Sequence, residues 1–239
     1  GNIQLNFFSS RFLLLSLASA TGAPPLSPSD RLAYAGALAR GGRRAEAIRV
    51  YDQIEQDGGE LAGVAGYERG RVLVQSGNAA AARSALRTVA SRSTNAGGAV
   101  AASLLLLADL QVDANDLAGA ARSLAELTRR QPTADQAPMA RFLGAMLAFA
   151  AQPVRAAAML DSLVALHPDD EEALPARYWA ARALERTGRR DDARARWRAI
   201  ATRSPLTYYG VLSARRLGQH VELPVAGSDS PPRIASVDS

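Results

Sequence analysis

The residues able to do chemistry in this chain are few, and their spacing serves it poorly. Asp169-Asp170-Glu171-Glu172 is the one run of carboxylates dense enough to suggest a divalent cation. It stands directly ahead of a predicted helix, where negative charge complements the helix dipole, so it reads as an N-terminal acidic cap rather than a metal site. The two histidines are His167, in a helix-breaking His-Pro turn, and His220, in a polar tail, and neither has a second His or a ligand-spaced carboxylate beside it. With no cysteine there is no disulfide, thiolate metal site or lipid-accepting Cys. Gly63-Val64-Ala65-Gly66 lies inside a predicted helix, without the preceding strand or the Lys of a phosphate loop. No catalytic, cofactor-binding or metal-binding residue is expected, and no cofactor.

Charge is the next candidate. All 28 basic residues are Arg, against 23 acidic ones, for a net charge of +5. The pairs Arg43-Arg44, Arg129-Arg130, Arg189-Arg190 and Arg215-Arg216 could each hold a phosphate or carboxylate bidentately. Three of the four fall at predicted hairpin turns or helix C-termini, where cations favour the dipole and solvate the loop. The aromatic interleaving of a single-strand platform is missing, so nucleic acid is not an expected partner.

The elements that would have to position any site are helices repeated at a fixed period. Gly188 is preceded by Leu184 and followed by Ala193, Trp197 and Ile200. The same frame recurs upstream: Gly42 with Ala47, Tyr51 and Ile54; Gly77 with Ala82, Leu86 and Val89; Asn115 with Ala120, Leu124 and Leu127; Ala151 with Ala156, Leu160 and Leu163. The position four residues before the anchor is Leu38, Leu73, Gln111, Leu147 and Leu184. Successive anchors lie 35, 38, 36 and 37 residues apart, the period of helix-hairpin solenoids. Each Ala marks a close helix crossing and each larger residue the same buried face a turn or two later. Pro138 and Pro175 both stand 13 residues before an anchor, near a helix start where a missing N–H does little harm.

The composition agrees. The 239 residues are 48% hydrophobic but only 5% aromatic, which suits closely stacked Ala-rich hairpins, and no stretch alternates with the period of a strand. The chain is therefore all-α, with helices expected at 29–40, 43–56, 60–76, 79–92, 96–113, 116–130, 135–150, 153–166, 171–187, 190–203 and 205–217. Ser27 is the expected N-cap of the first, with Pro28 at its first position and Asp30 as capping-box partner.

Outside the helices, residues 1–26 carry Arg11, an apolar run from Phe12 to Leu17 and Ala18-Ser19-Ala20, the layout of a secretory signal peptide. A frayed first helix, or upstream sequence, is the alternative. Export without a Cys anchor implies a soluble, extracytoplasmic protein with no stable membrane anchor. Residues 219–239 are rich in Ser, Pro and Gly and read as a disordered tail or a linker.

The frame around Gly188 resembles the turn and second helix of a tetratricopeptide repeat (TPR). Tyr178-Trp179-Ala180-Ala181-Arg182-Ala183-Leu184, Gly188, Ala193, Trp197-Arg198-Ala199-Ile200-Ala201, then Ser204-Pro205-Leu206-Thr207-Tyr208-Tyr209-Gly210 and Arg216-Leu217-Gly218, resembles the last superhelical repeat of soluble lytic murein transglycosylases. The resemblance implies a right-handed superhelical solenoid of about five TPR-like hairpins over residues 27–218, closed by a terminal capping helix. It implies a periplasmic location, peptidoglycan glycan strands as partner, and a lysozyme-like catalytic domain of the same protein beyond residues 219–239. That family sets its catalytic Glu in a Glu-Ser pair followed by Gly-Leu-Met-Gln; none of the nine Glu here precedes Ser, so no catalytic residue carries over and this stretch is expected to be inactive alone. The alternative is a stand-alone TPR-like adaptor holding a protein partner in a concave groove. In either case Tyr208, Tyr209, Arg215 and Arg216 form the candidate docking or substrate surface, since the last helix carries more large apolar surface than one neighbour can cover.

Overall fold

The structure, a computed structural model, describes residues 26–92 and 98–219. The leader before residue 26, the tail from residue 220 and His220 lie outside the described residues. Within them the chain forms eleven helices and no strand: α1 (Pro28–Arg40), α2 (Arg44–Asp57), α3 (Ala62–Gln75), α4 (Ala79–Ser91), α5 (Gly98–Asp113), α6 (Leu117–Arg130), α7 (Ala137–Phe149), α8 (Pro153–Leu166), α9 (Ala173–Arg186), α10 (Arg190–Arg203) and α11 (Tyr208–Arg216). It divides into two compact units, one ending at Leu110 and one starting at Gln111, and the division falls inside α5.

Four of the five anchors terminate a helix in the left-handed conformation. Gly42, Gly77 and Gly188 have φ of 80, 75 and 81°, and Asn115, with φ 58°, is the only non-glycine residue of positive φ among the described residues. After each anchor the next N–H reaches back to the carbonyl four residues before the anchor: Arg43 to Leu38 at 2.9 Å, Asn78 to Leu73 at 2.9 Å, Asp116 to Gln111 at 2.7 Å and Arg189 to Leu184 at 3.1 Å. That is the six-to-one bond of a glycine helix stop. The Leu positions of the frame are thus bond acceptors as well as packing residues. Gly218, with φ 76°, and the Gln219-to-Ala214 bond of 2.9 Å repeat the device after α11.

Ala151 departs from it, because a Cβ disfavours the left-handed region. Ala150 stays helical, at φ −72° and ψ −45°, and the Gln152 N–H donates to Ala148 at 2.8 Å. Arg186 of α9 compensates: its Nη2 donates to the Ala150 carbonyl at 3.1 Å, and its guanidinium carbon stands 5.4 Å from the Phe149 ring centroid.

The second helices of the last three hairpins end at X-Pro. Gln131, His167 and Ser204 have nearly equal backbone angles (φ −131, −136 and −138°; ψ 59, 65 and 52°), and each donates its N–H to the carbonyl four residues back. The proline that follows removes the helical option for the residue before it. Two tight turns then delay α7 and α9, which start at Ala137 and Ala173 rather than at 135 and 171.

The register is visible in the burial. Ala47, Ala82, Ala120, Ala156 and Ala193 are all 0% exposed. Behind each, the two larger residues of the frame are buried, from Tyr51 and Ile54 to Trp197 and Ile200. Gln111, odd among leucines, is buried too, and its Oε1 accepts the Ser123 hydroxyl at 2.7 Å. Two glycines of α3 are spacers for helix packing: a Cβ at Gly66 would stand 2.5 Å from Val89 Cγ2, and one at Gly70 2.7 Å from Leu86 Cδ2.

Two expectations need correction. Ser27 does cap α1, accepting the Asp30 N–H at 3.2 Å, but Asp30 accepts from the Ser27 hydroxyl at 2.7 Å. The arginine pairs at residues 43–44 and 189–190 do lie at hairpin turns, but the dipole does not favour them there: Arg43 and Arg189 are the N-cap residues of α2 and α10, where it opposes a cation. Each is neutralised by the carboxylate three residues on, Arg43 by Glu46 and Arg189 by Asp192.

Candidate interaction surface

α11 is held by local chemistry that begins at Thr207. Its Oγ1 accepts the Gly210 N–H at 3.1 Å and donates to the Ser204 carbonyl at 2.7 Å, which places the helix start three residues later than expected. From there Tyr209, Leu212 and Leu217 pack on the cluster containing Trp197, Ile200, Tyr178 and Leu184. Tyr208, one residue away and turned about 100° around the helix, is 71% exposed.

The rings continue across the neighbouring first helices as a chain of edge and tilted contacts. Phe149 and Trp179 have centroids 5.3 Å apart, Trp179 and Tyr178 5.8 Å, Tyr178 and Tyr209 5.3 Å, and Tyr209 and Tyr208 5.2 Å. Arginines lie against them. The guanidinium carbon of Arg182 is 5.8 Å from the Trp179 centroid and that of Arg216 is 5.8 Å from that of Trp197. Between α9 and α11 this leaves a groove of about 580 Å³, lined by Tyr178, Trp179, Arg182, Tyr208, Tyr209, Leu212, Arg215 and Arg216. Glu185 holds two of its cations, Arg182 at 3.3 Å and Arg216 at 3.5 Å, whereas Arg215 has no ion pair among the described residues.

All four residues singled out from sequence therefore line one groove. Trp179, Arg182 and Tyr178 were missed. Their signal was present in α9, where Tyr178 and Arg182 stand at i and i+4 and Trp179 and Arg182 at i and i+3, but it gains meaning only when α11 lies alongside. Such a surface combines ring faces with fork-shaped donors and suits apolar or aromatic groups that carry carboxylates nearby.

The acidic run ahead of α9 lies elsewhere. Glu172 is the N-cap residue of α9 by position, but its side chain makes no cap bond; Asp170 accepts the Glu172 N–H at 3.2 Å instead. A hydrogen bond between the two carboxyl groups, reinforced by partial burial, pushes Glu172 up to about 7, and the same bond holds Asp170 below its ordinary value. Among the described residues no three acidic or histidine side chains converge on a cation, and no helix is long and apolar enough to cross a membrane.

Comparison with known proteins places the fold. The tetratricopeptide repeat family model matches residues 175–207, from the first turn of α9 through α10 to the residue before α11. A tetratricopeptide repeat protein from Parabacteroides merdae superposes with a TM-score of 0.57 at 11% identity, over 80% of this chain and 74% of that one. YrrB, described as a TPR protein with an unusual peptide-binding site, gives 0.56 at 15% identity, over 77% and 90%. The MamA protein gives 0.54 at 12% identity, over 83% and 97%. No curated protein matches the chain. Fold and frame together define an all-α repeat structure of TPR-like hairpins.

Proposed function

We propose that this chain is a protein-binding repeat module that takes an extended, acidic and aromatic segment of a partner in the α9–α11 groove. The observation that carries this reading is the exposed Tyr208, and Arg215 with no ion pair among the described residues, in the groove that Trp179 also lines between α9 and α11. The net charge of +5 favours an acidic partner. That a TPR protein of similar fold, YrrB, has a peptide-binding site adds support. Selection of the full chain against a random peptide library tests it. Enriched peptides should carry Asp or Glu next to Phe, Tyr or Trp, and should lose binding when Trp179→Ala is combined with Arg215→Glu. The reading falls if no peptide enriches, or if the double variant binds as well as the parent.

A second reading keeps the sequence resemblance: an exported arm of a lytic murein transglycosylase, which engages glycan strands and positions a catalytic domain. What favours it is α11 itself, because Tyr208-Tyr209-Gly210 through Arg216-Leu217-Gly218 forms one helix that closes the last hairpin and stops at Gly218. Sugar rings stack on aromatic faces, and the free carboxylates of the murein stem peptides can pair with guanidinium groups. Co-sedimentation with purified murein sacculi discriminates, and a murein zymogram of the chain alone should stay uncleared. Sacculus binding that survives Trp179→Ala with Arg215→Glu would remove this groove from the second reading.

A further inference from the structure

The two units treat one repeat position differently. In the first, Glu55 of α2 is only 5% exposed and sits between two guanidinium groups, Arg69 of α3 at 2.6 Å and Arg92 after α4 at 3.1 Å. Its room comes from Gly66, where a Cβ would stand 3.1 Å from the Glu55 carboxyl carbon. Val89 supplies an apolar wall beside Gly66. The fold at this place therefore already accommodates a carboxylate on a short aliphatic arm.

Counting from the anchors identifies the same place in the second unit. Glu55 stands 13 residues past Gly42, and Val164 stands 13 past Ala151. Arg92 is 15 past Gly77, and Arg203 is 15 past Gly188; Val89 and Ile200 match at 12. The carboxylate is thus replaced by a valine and Arg92 is retained as Arg203, while Arg69 and Gly66, 8 and 11 residues before Gly77, are replaced by Ala180 and Arg177. What lies there is a cavity of about 240 Å³ among α8, α9 and α10, with Val164, Leu174, Ala199 and Ile200 as apolar lining and Arg177, Arg196 and Arg203 around them. Arg196 is committed to Asp161 by a two-pronged pair, and Arg177 donates to the Pro168 carbonyl at 3.2 Å. Arg203 has no ion pair among the described residues.

We infer that this cavity binds an external monocarboxylate with a compact apolar body, its carboxylate on Arg203 and its body against Val164, Leu174 and Ile200. The ligand replaces in the second unit what Glu55 supplies from within the chain in the first. The shared chemistry has two sources, a free branched acid or the C-terminal residue of a polypeptide. The site is separate from the α9–α11 groove and stands without the peptide reading.

The test is a proton–nitrogen NMR titration of the full chain with 4-methylpentanoate, and with its neutral amide as control. The acid should shift amides near residues 164, 174 and 200–204 and bind about tenfold or more tightly than the amide, the scale of a charge-assisted hydrogen bond. Arg203→Ala should lose that preference. Val164→Glu should abolish binding while keeping the helical spectrum, since it restores the internal carboxylate, and Val164→Ala, which only trims the apolar wall, should weaken acid and amide alike and leave the preference for the acid intact. Trp179→Ala, in the other groove, should change nothing. Two peptides ending in Leu, one with a free carboxylate and one amidated, repeat the comparison for a chain terminus, and the tighter of the two acids identifies the source. Equal binding of acid and amide, no shifts with any acid, or acid binding untouched by both Arg203→Ala and Val164→Glu overturns the inference.

Discussion

Gly210 lies so close to the Ser204 carbonyl that a Cβ on it would stand 1.8 Å from that oxygen. The obstacle is backbone and cannot rotate away. The glycine of the Tyr-Tyr-Gly segment is therefore a contact requirement, where α11 crosses the end of α10. Gly210→Ala should push α11 off its seat and cost about 1–3 kcal/mol, the scale of overpacking, and the contact with backbone favours the upper end. Chemical denaturation measures the loss, and hydrogen exchange in α11 should accelerate before that in α9. Unchanged stability would refute the close crossing.

The repeated Ala five residues after each anchor makes a second prediction. Ala120→Leu and Ala193→Leu place a branched side chain at sites 0% exposed, and each should cost about 1–3 kcal/mol. Trp197→Ala empties a site only 2% exposed and should cost about 3–5 kcal/mol. Melting within error of the parent in both classes of variant would mean that the register is wrong.

That register was legible because it is written in residues with strong backbone or steric meaning. A Gly or Asn after a helix, a Pro that closes the next one and an Ala at each crossing fix the helix ends within three residues throughout. Where the device is absent the mechanism is not legible: Ala151 carries no left-handed signal, and the stop before it relies on Arg186, 36 residues from the Ala150 carbonyl it bonds. The groove was half legible. Tyr208, Tyr209, Arg215 and Arg216 sit on one short helix and show as an excess of large side chains, whereas Tyr178, Trp179 and Arg182 read as ordinary packing of α9 until α11 covers one side of them. Glu55 and Arg203 were illegible for a related reason, since each acquires its meaning from its counterpart in another repeat.

The Asp170–Glu172 pair makes stability depend on pH. Glu172 has its folded value raised from 4.5 to about 7, chiefly by the hydrogen bond with Asp170, so the bonded, protonated form stabilises the fold below pH 4.5. That contribution is lost as pH rises through about 7. Asp170 is depressed from 3.8 by the same bond, so its contribution is present above 3.8 and lost as pH falls further. The start of α9 should thus be most protected between roughly pH 4 and 5 and loosen toward pH 8. Amide exchange at residues 173–177, corrected for intrinsic rates, tests this. Glu172→Gln should flatten the dependence, and an unchanged profile in that variant would exclude the pair as its cause.

The two tyrosines of α11 separate docking from capping. Tyr209 is partly buried on the Trp197 cluster and its ring meets Tyr178 and Tyr208 at 5.3 and 5.2 Å, while Tyr208 is 71% exposed and offers its ring to solvent. Tyr209→Ala should therefore destabilise the fold by about 1–3 kcal/mol, as expected for removal of packed apolar surface. Tyr208→Ala should stay within about 0.5 kcal/mol of the parent, as surface changes do. Binding should rank them the other way. Peptides selected on the parent should lose affinity for Tyr208→Ala even though its melting curve is unaltered, because its loss removes ligand contact without loosening the groove. Measured together, denaturation and peptide titration give four numbers from two variants. Equal destabilisation by both substitutions, with no selective loss of binding at Tyr208, would reduce α11 to a cap over the last hairpin and leave the groove without a ligand.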